Sequence, residues 1–220
     1  GALTNLAVND NNRMAIAEAG GVFTILSAMN NHSSNADGQE YGCAALWNLV
    51  VNEENKVTIA EAGGITTILS AMNNHPFIAN LQYYGCGALF NLAVNDNNEV
   101  TIAAEGGIIT ILSAMNNHFS NAFVQHYGCA ALRNLAANDN NKVTIAKAGG
   151  IDMILSAMNI HSSNANLQNY GCGVLMNLAV NEDNKEVIVE AGGIAMILSA
   201  MATHQSNANV QYNGCGALLS

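Results

Sequence analysis

Five cysteines stand at Cys43, Cys86, Cys129, Cys172 and Cys215, each 43 residues after the last. The same step carries the Gly-Gly pairs that begin at Gly20, Gly63, Gly106, Gly149 and Gly192. It also carries His32, His75, His118, His161 and His204, and the Asn-Leu pairs at Asn5, Asn48, Asn91, Asn134 and Asn177. No insertion or drift interrupts the series. A fixed period of this kind marks a linear array, in which each unit buries its apolar face only against its neighbours. The chain reads as a single array over 1–220, with units of about 1–41, 42–84, 85–127, 128–170 and 171–213 and a partial unit at 214–220.

One unit suffices to read the helices. Asn52 is a good N-cap, and Glu53 and Glu54 fall in the first turn, where the helix dipole favours carboxylates. Ile59, Ala60 and Ala62 follow at helical spacing, and Gly63-Gly64 closes the segment as a C-terminal glycine does. A second helix is predicted from near Ile65, with Ile68, Leu69 and Met72 on one face, broken by Asn73-Asn74-His75-Pro76. A third and longer helix is predicted from about Phe77 to Ala93, its apolar stripe being Leu81, Cys86, Leu89 and Leu92. No segment alternates with period two, so the class is all-α, with three helices in each of about five units.

The unit N-E-E-N-K-V-T-I-A-E-A-G-G-I-T-T-I-L-S-A-M, continued by Q-Y-Y-G-C-G-A-L-F-N-L-A, resembles the armadillo repeat of β-catenin and importin-α. The resemblance covers the whole chain and implies a right-handed α-solenoid whose third helices line a concave groove. Two departures stand out. Thr66 occupies a place where armadillo units often carry Pro, and the Trp found four residues before the ladder Asn in importin-type units is replaced by Ala44, Gly87, Ala130 or Gly173. The resemblance therefore carries the fold without the motif for nuclear import.

Composition excludes several functions. The chain has 6 Lys+Arg against 16 Asp+Glu, a net charge of −10, which argues against binding a phosphate backbone. No apolar run approaches the roughly 18 residues that span a bilayer, so no membrane partner is expected. Stacked helices lie roughly 8–10 Å apart, too far for a disulfide between ladder cysteines, which read as small apolar fillers beside glycine. The same spacing keeps one His per unit from converging on a metal ion. Each His is expected instead to satisfy the last carbonyls of the helix before it. No Ser-His-Asp arrangement, phosphate-binding loop or catalytic carboxylate pair appears, so neither enzyme nor cofactor is expected. Five free thiols suggest a reducing compartment, the cytoplasm or the nucleus.

Positions that differ between units are free for another task. Just before each ladder Asn stand Thr4, Trp47, Phe90, Arg133 and Met176. Seven residues earlier stand Glu40, Tyr83, His126, Asn169 and Tyr212, and seven earlier again Ser33, Pro76, Phe119, Ser162 and Gln205, with Asp37, Asn80, Phe123, Asn166 and Asn209 between. This pattern predicts one face of the third helices carrying Trp47, Tyr83, Phe90, Phe123, His126 and Arg133 as side-chain anchors. By the resemblance, Asn48, Asn91, Asn134 and Asn177 would hold the backbone of an extended or helical peptide. The expected function is a non-catalytic scaffold for a protein or peptide partner.

The alternative is a self-assembling structural element. The sequence begins within a third helix, with Leu3 and Leu6, and stops within another, with Leu218 and Leu219. That suggests a slice of a longer array, and head-to-tail stacking of its uncapped ends would complete the half-helices.

Overall fold

The computed structural model describes residues 9–220. Leu3, Thr4, Asn5 and Leu6 lie outside the described residues, and so does the joint expected at Gly1. Among the described residues the chain is all-α, in two compact units that divide after Thr110. The first holds α1 (Asp10–Glu18), α2 (Gly21–Asn31), α3 (Ala36–Leu49), α4 (Glu53–Glu61), α5 (Gly64–Asn74), α6 (Ala79–Leu92) and α7 (Asp96–Ala104). The division falls within α8 (Gly107–Asn117). The second unit continues with α9 (Ala122–Leu135), α10 (Asp139–Lys147), α11 (Gly150–Ile160), α12 (Ala165–Leu178), α13 (Glu182–Glu190), α14 (Gly193–Thr203) and α15 (Ala208–Leu219). The third helix of each repeat packs on the next within a unit, α3 on α6, α9 on α12 and α12 on α15.

Local chemistry explains the boundaries. The Asn52 side chain accepts the Asn55 amide at 3.1 Å, and Asn95, Asn138 and Asn181 cap α7, α10 and α13 in the same way. The two glycines after α4 differ in their reasons. Gly63 has φ +79°, a left-handed turn that glycine adopts without strain. Gly64 has no room for a Cβ, which would meet Ile59 Cγ2 and lie 2.6 Å from the Ile59 carbonyl oxygen. Repeat-forming positions then bury Ile59, Ile68, Met72, Leu81, Leu89 and Leu92 completely or nearly so, each large aliphatic side chain contributing roughly 1.5–3 kcal/mol.

The third helix starts two residues later than predicted, at Ala79 rather than Phe77. Residues 33–35 and their equivalents form the turn ahead of it, and Asn35, Asn121, Asn164 and Asn207 serve as N-caps. At the equivalent position Ile78 offers no side-chain acceptor. Ser33, Pro76, Phe119, Ser162 and Gln205 consequently sit off the helix, so the seven-residue stripe is helical only from its Asp37 and Glu40 equivalents onward.

Two polar ladders hold the helices together. A glutamine in each third helix, buried at Gln39, Gln82, Gln125 and Gln168 and half-buried at Gln211, donates its amide to carbonyls at the end of the second helix. For Gln82 the acceptors are Met72 O at 2.9 Å and His75 O at 3.0 Å. The second Asn of each N-x-x-N opening, Asn55, Asn98, Asn141 or Asn184, donates to the last carbonyl of the third helix before it. Such buried amides offset carbonyls that the helix ends leave unpaired.

The histidines do not act as expected. His75 Nε2 donates to Ser33 O at 2.7 Å, His161 to Phe119 O at 2.8 Å and His204 to Ser162 O at 2.8 Å. Each ring ties its repeat to the turn of the preceding repeat, and glutamine does the capping that the sequence reading gave to histidine. Four of the five ladder cysteines pack as read, and Cys215 on α15 is exposed instead. Cys43, Cys86, Cys129 and Cys172 are buried, and burial pushes the thiols of Cys43, Cys129 and Cys172 up to about 12, which holds them protonated and unreactive.

Candidate functional site

The third-helix faces carry the variable residues, and each unit builds its own cluster. In the first unit the Trp47 ring on α3 meets Tyr83 on α6 edge-on, with centroids 5.2 Å apart and planes at 69°. Tyr84 completes the group, 5.8 Å from Trp47 and 4.8 Å from Tyr83. Edge-to-face pairs of this kind are favourable beyond the area they bury. Trp47, Tyr83 and Tyr84 are all half-buried, so the cluster is a surface platform rather than a core. At its rim Asn80 Nδ2 donates to Glu40 Oε1 at 3.3 Å.

Glycine makes the platform possible. A Cβ on Gly87 would lie 2.8 Å from Trp47 Nε1 and 2.9 Å from its Cε2, so the indole lies directly on the backbone of α6. The second unit repeats the device. A Cβ on Gly173 would lie 2.8 Å from Arg133 Nε, and one on Gly216 would meet Met176 Sδ. The residue before the ladder Asn thus rests on the next third helix, at the position where glycine replaces the Ala of other repeats.

In the second unit His126 stacks between two tyrosines, 4.6 Å from Tyr127 and 5.2 Å from Tyr170, with interplanar angles of 28° and 29°. Burial lowers the His126 pKa, favouring the neutral ring. Arg133 lies two turns along the same helix. Phe123 is 64% exposed at the start of α9, and Phe90 is half-buried at the end of α6.

Among the described residues, the ladder asparagines Asn48, Asn91, Asn134 and Asn177 are half-buried. Asn177 Nδ2 donates to the Arg133 carbonyl at 3.0 Å, tying α12 to α9. The Asn91 side-chain amide makes no hydrogen bond to another described residue. The geometry brings together Trp47 with Tyr83, and Arg133 with Asn177 and, through one helix, His126.

Sequence reasoning missed Tyr41, Tyr84, Tyr127 and Tyr170, a ladder with the same 43-residue step that supplies three of the stacking rings. Its signal was available, since the period alone singles these positions out. In the last repeat Asn213 takes the Tyr place, buried, with Oδ1 unpaired and Nδ2 donating to Asn169 Oδ1 at 2.6 Å.

Residues 2–179 match the family profile described as the LRRK2 ARM repeat. The chain belongs to the armadillo repeat family. Among solved structures it resembles an engineered protein from a structural-genomics effort, at TM-score 0.84 and 23% identity over 99% of this chain and 86% of that one. It also resembles a chain from a study of a phosphorylation switch controlling the interaction between cadherin and β-catenin, at TM-score 0.54 and 17% identity. That likeness covers 98% of this chain and 48% of the other. No curated protein sequence matches. The armadillo fold accounts for the three-helix repeats seen in both units, which form an α-solenoid.

Proposed function

We propose that this armadillo chain is a non-catalytic scaffold that binds a peptide segment of a protein partner on its third-helix faces. The observation that carries the reading is the seating of Trp47 on Gly87. An aromatic side chain held half-exposed beside Tyr83 and Tyr84 is a preorganised anchor, and aromatic residues and Arg dominate interface energetics. The half-buried side-chain amide of Asn91, one turn after Gly87 on α6, is a donor and acceptor suited to a peptide backbone. The likeness to a chain from a study of the interaction between cadherin and β-catenin supports a protein partner. The first-helix acids Glu53, Glu54, Asp96, Asp139, Glu182 and Asp183 stand in first turns, where dipole compensation accounts for them. Protonated, buried thiols suit a reducing compartment, the cytoplasm or nucleus.

A peptide-display selection against the chain, repeated with an Asn48→Ala/Asn91→Ala/Asn134→Ala variant, tests the reading. Selected peptides should bind the variant at least tenfold more weakly. Equal binding to both proteins would place the interface elsewhere.

A further inference from the structure

Charge on the third helices differs between the two units. In the first, α3 carries Asp37 and Glu40, and neither α3 nor α6 carries a cation. In the second, α9, α12 and α15 contain no carboxylate at all, and Arg133 is their one charged residue. The acids of that unit, Asp139, Asp152, Glu182, Asp183, Glu186 and Glu190, lie on its first and second helices. Among the described residues the Arg133 guanidinium makes no ion pair, whereas Lys142 and Lys185 of the same unit pair with acids three residues before them.

Arg133 is also held in place. Its Nε and Cδ lie against Gly173, where a Cβ would come within 2.8 and 2.9 Å. Its own carbonyl accepts from Asn177, fixing α9 against α12 at this point. A half-buried arginine whose Cδ and Nε rest on a helix backbone loses little further freedom on binding, and the fork of N–H donors at its end matches a carboxylate bidentately. Within a chain of net charge −10, selection for general solubility or for steering of an anion does not account for a lone arginine on an acid-free face.

Resting on the peptide-scaffold reading, we infer that Arg133 is the recognition point for a carboxylate side chain, Asp or Glu, of the bound peptide. The guanidinium receives the carboxylate over Gly173, and the neutral ring of His126 with its two tyrosines flanks the peptide on the apolar side.

The test uses fluorescein-labelled degenerate nonapeptide pools that differ only in a fixed central residue: Glu, Gln, Lys or phosphoserine. Anisotropy titrations against the whole chain should show the Glu pool binding about tenfold more tightly than the Gln pool. Arg133→Gln should abolish that preference, and Arg133→Lys should retain only part of it. Gly173→Ala, which lifts the side chain from its seat and keeps the charge, should weaken it as well. Melting curves confirm that each variant is folded, and a variant that fails to fold is replaced by Arg133→Met. Pools that bind without a Glu preference overturn the inference and leave the scaffold reading intact. Stronger binding of phosphoserine than of Glu overturns the choice of a carboxylate. Absence of binding by every pool to the wild-type chain overturns both readings.

Discussion

The Trp47 indole lies on Gly87, so close that a Cβ there would sit 2.8 Å from Nε1. The contact joins α3 to α6, as Arg133 on Gly173 joins α9 to α12 in the second unit. Trp47 is the only tryptophan in the chain, which makes the contact directly observable. Gly87→Ala gains helix propensity of about 1 kcal/mol and incurs an overpacking cost of about 1–3 kcal/mol. The variant should show a changed tryptophan emission and an unchanged or lower melting temperature. An unchanged emission spectrum would show that the ring does not rest there.

Gly85 tests a different interface, between α6 and α5. A Cβ at that position would lie 2.5 Å from Met72 Sδ and 2.7 Å from its Cγ, and Met72 is 1% exposed. Gly85→Ala should therefore lower the melting temperature despite its better propensity, by about 1–3 kcal/mol of stability. Combined with Met72→Ala the loss should be smaller than the sum of the two, a coupling that a double-mutant cycle measures.

Gln82 donates to two carbonyls at the end of α5 from a position 1% exposed. Gln82→Leu keeps the bulk and removes both bonds; His75 O retains the Ile78 backbone amide at 3.3 Å, and the buried Met72 carbonyl loses its side-chain donor. A loss of about 1–3 kcal/mol is expected in urea unfolding. A variant as stable as the parent would show that water replaces the amide at no cost.

Ile78 stands where Asn35, Asn121, Asn164 and Asn207 cap the other described third helices. Ile78→Asn supplies the missing acceptor and should stabilise the chain by about 1 kcal/mol, read as a raised melting temperature.

Glu99 gives the stability curve a pH signature. Lys56, Lys142 and Lys185 occupy its place in other repeats and pair with an acid three residues earlier, at 2.6, 2.5 and 2.8 Å. Glu99 meets Asp96 there instead, and burial, followed by that carboxylate, raises its pKa from 4.5 to about 6. The folded state then holds a proton that the unfolded chain has released, so this group's contribution to stability falls as pH rises from about 4.5 through 6. Below that window both states are protonated and the penalty is absent. Glu99→Lys should raise the melting temperature at pH 7, adding about 0.2–0.5 kcal/mol from the new pair to the repulsion removed. At pH 4 the gain should be smaller. Equal gains at both pH values would contradict the assignment.

The fold was legible because its determinants are local and periodic. Asn52 and Gly63 announce helix ends through their own side-chain and backbone chemistry, and the 43-residue step marks them five times. The glutamine ladder was hidden because Gln82 reads as a surface residue until α5 is seen beside it. His75 was misassigned for a related reason, since its acceptor, Ser33 O, lies 42 residues earlier. Contacts of that span belong to the stacking of repeats, not to the spacing within one. The candidate site was legible as a set of variable residues. Its construction was not, because only the packed structure shows that glycine at 87 and 173 is the seat for the large residue of the preceding repeat.

The most direct test of peptide binding on the third-helix faces is chemical-shift mapping of the labelled chain with a peptide selected by display. The account predicts that perturbations concentrate on the Trp47 indole, Tyr83, the Asn91 amide, the Arg133 guanidinium and the Asn177 amide. Perturbations confined to first helices such as α4 and α10, with those five groups silent, would contradict it.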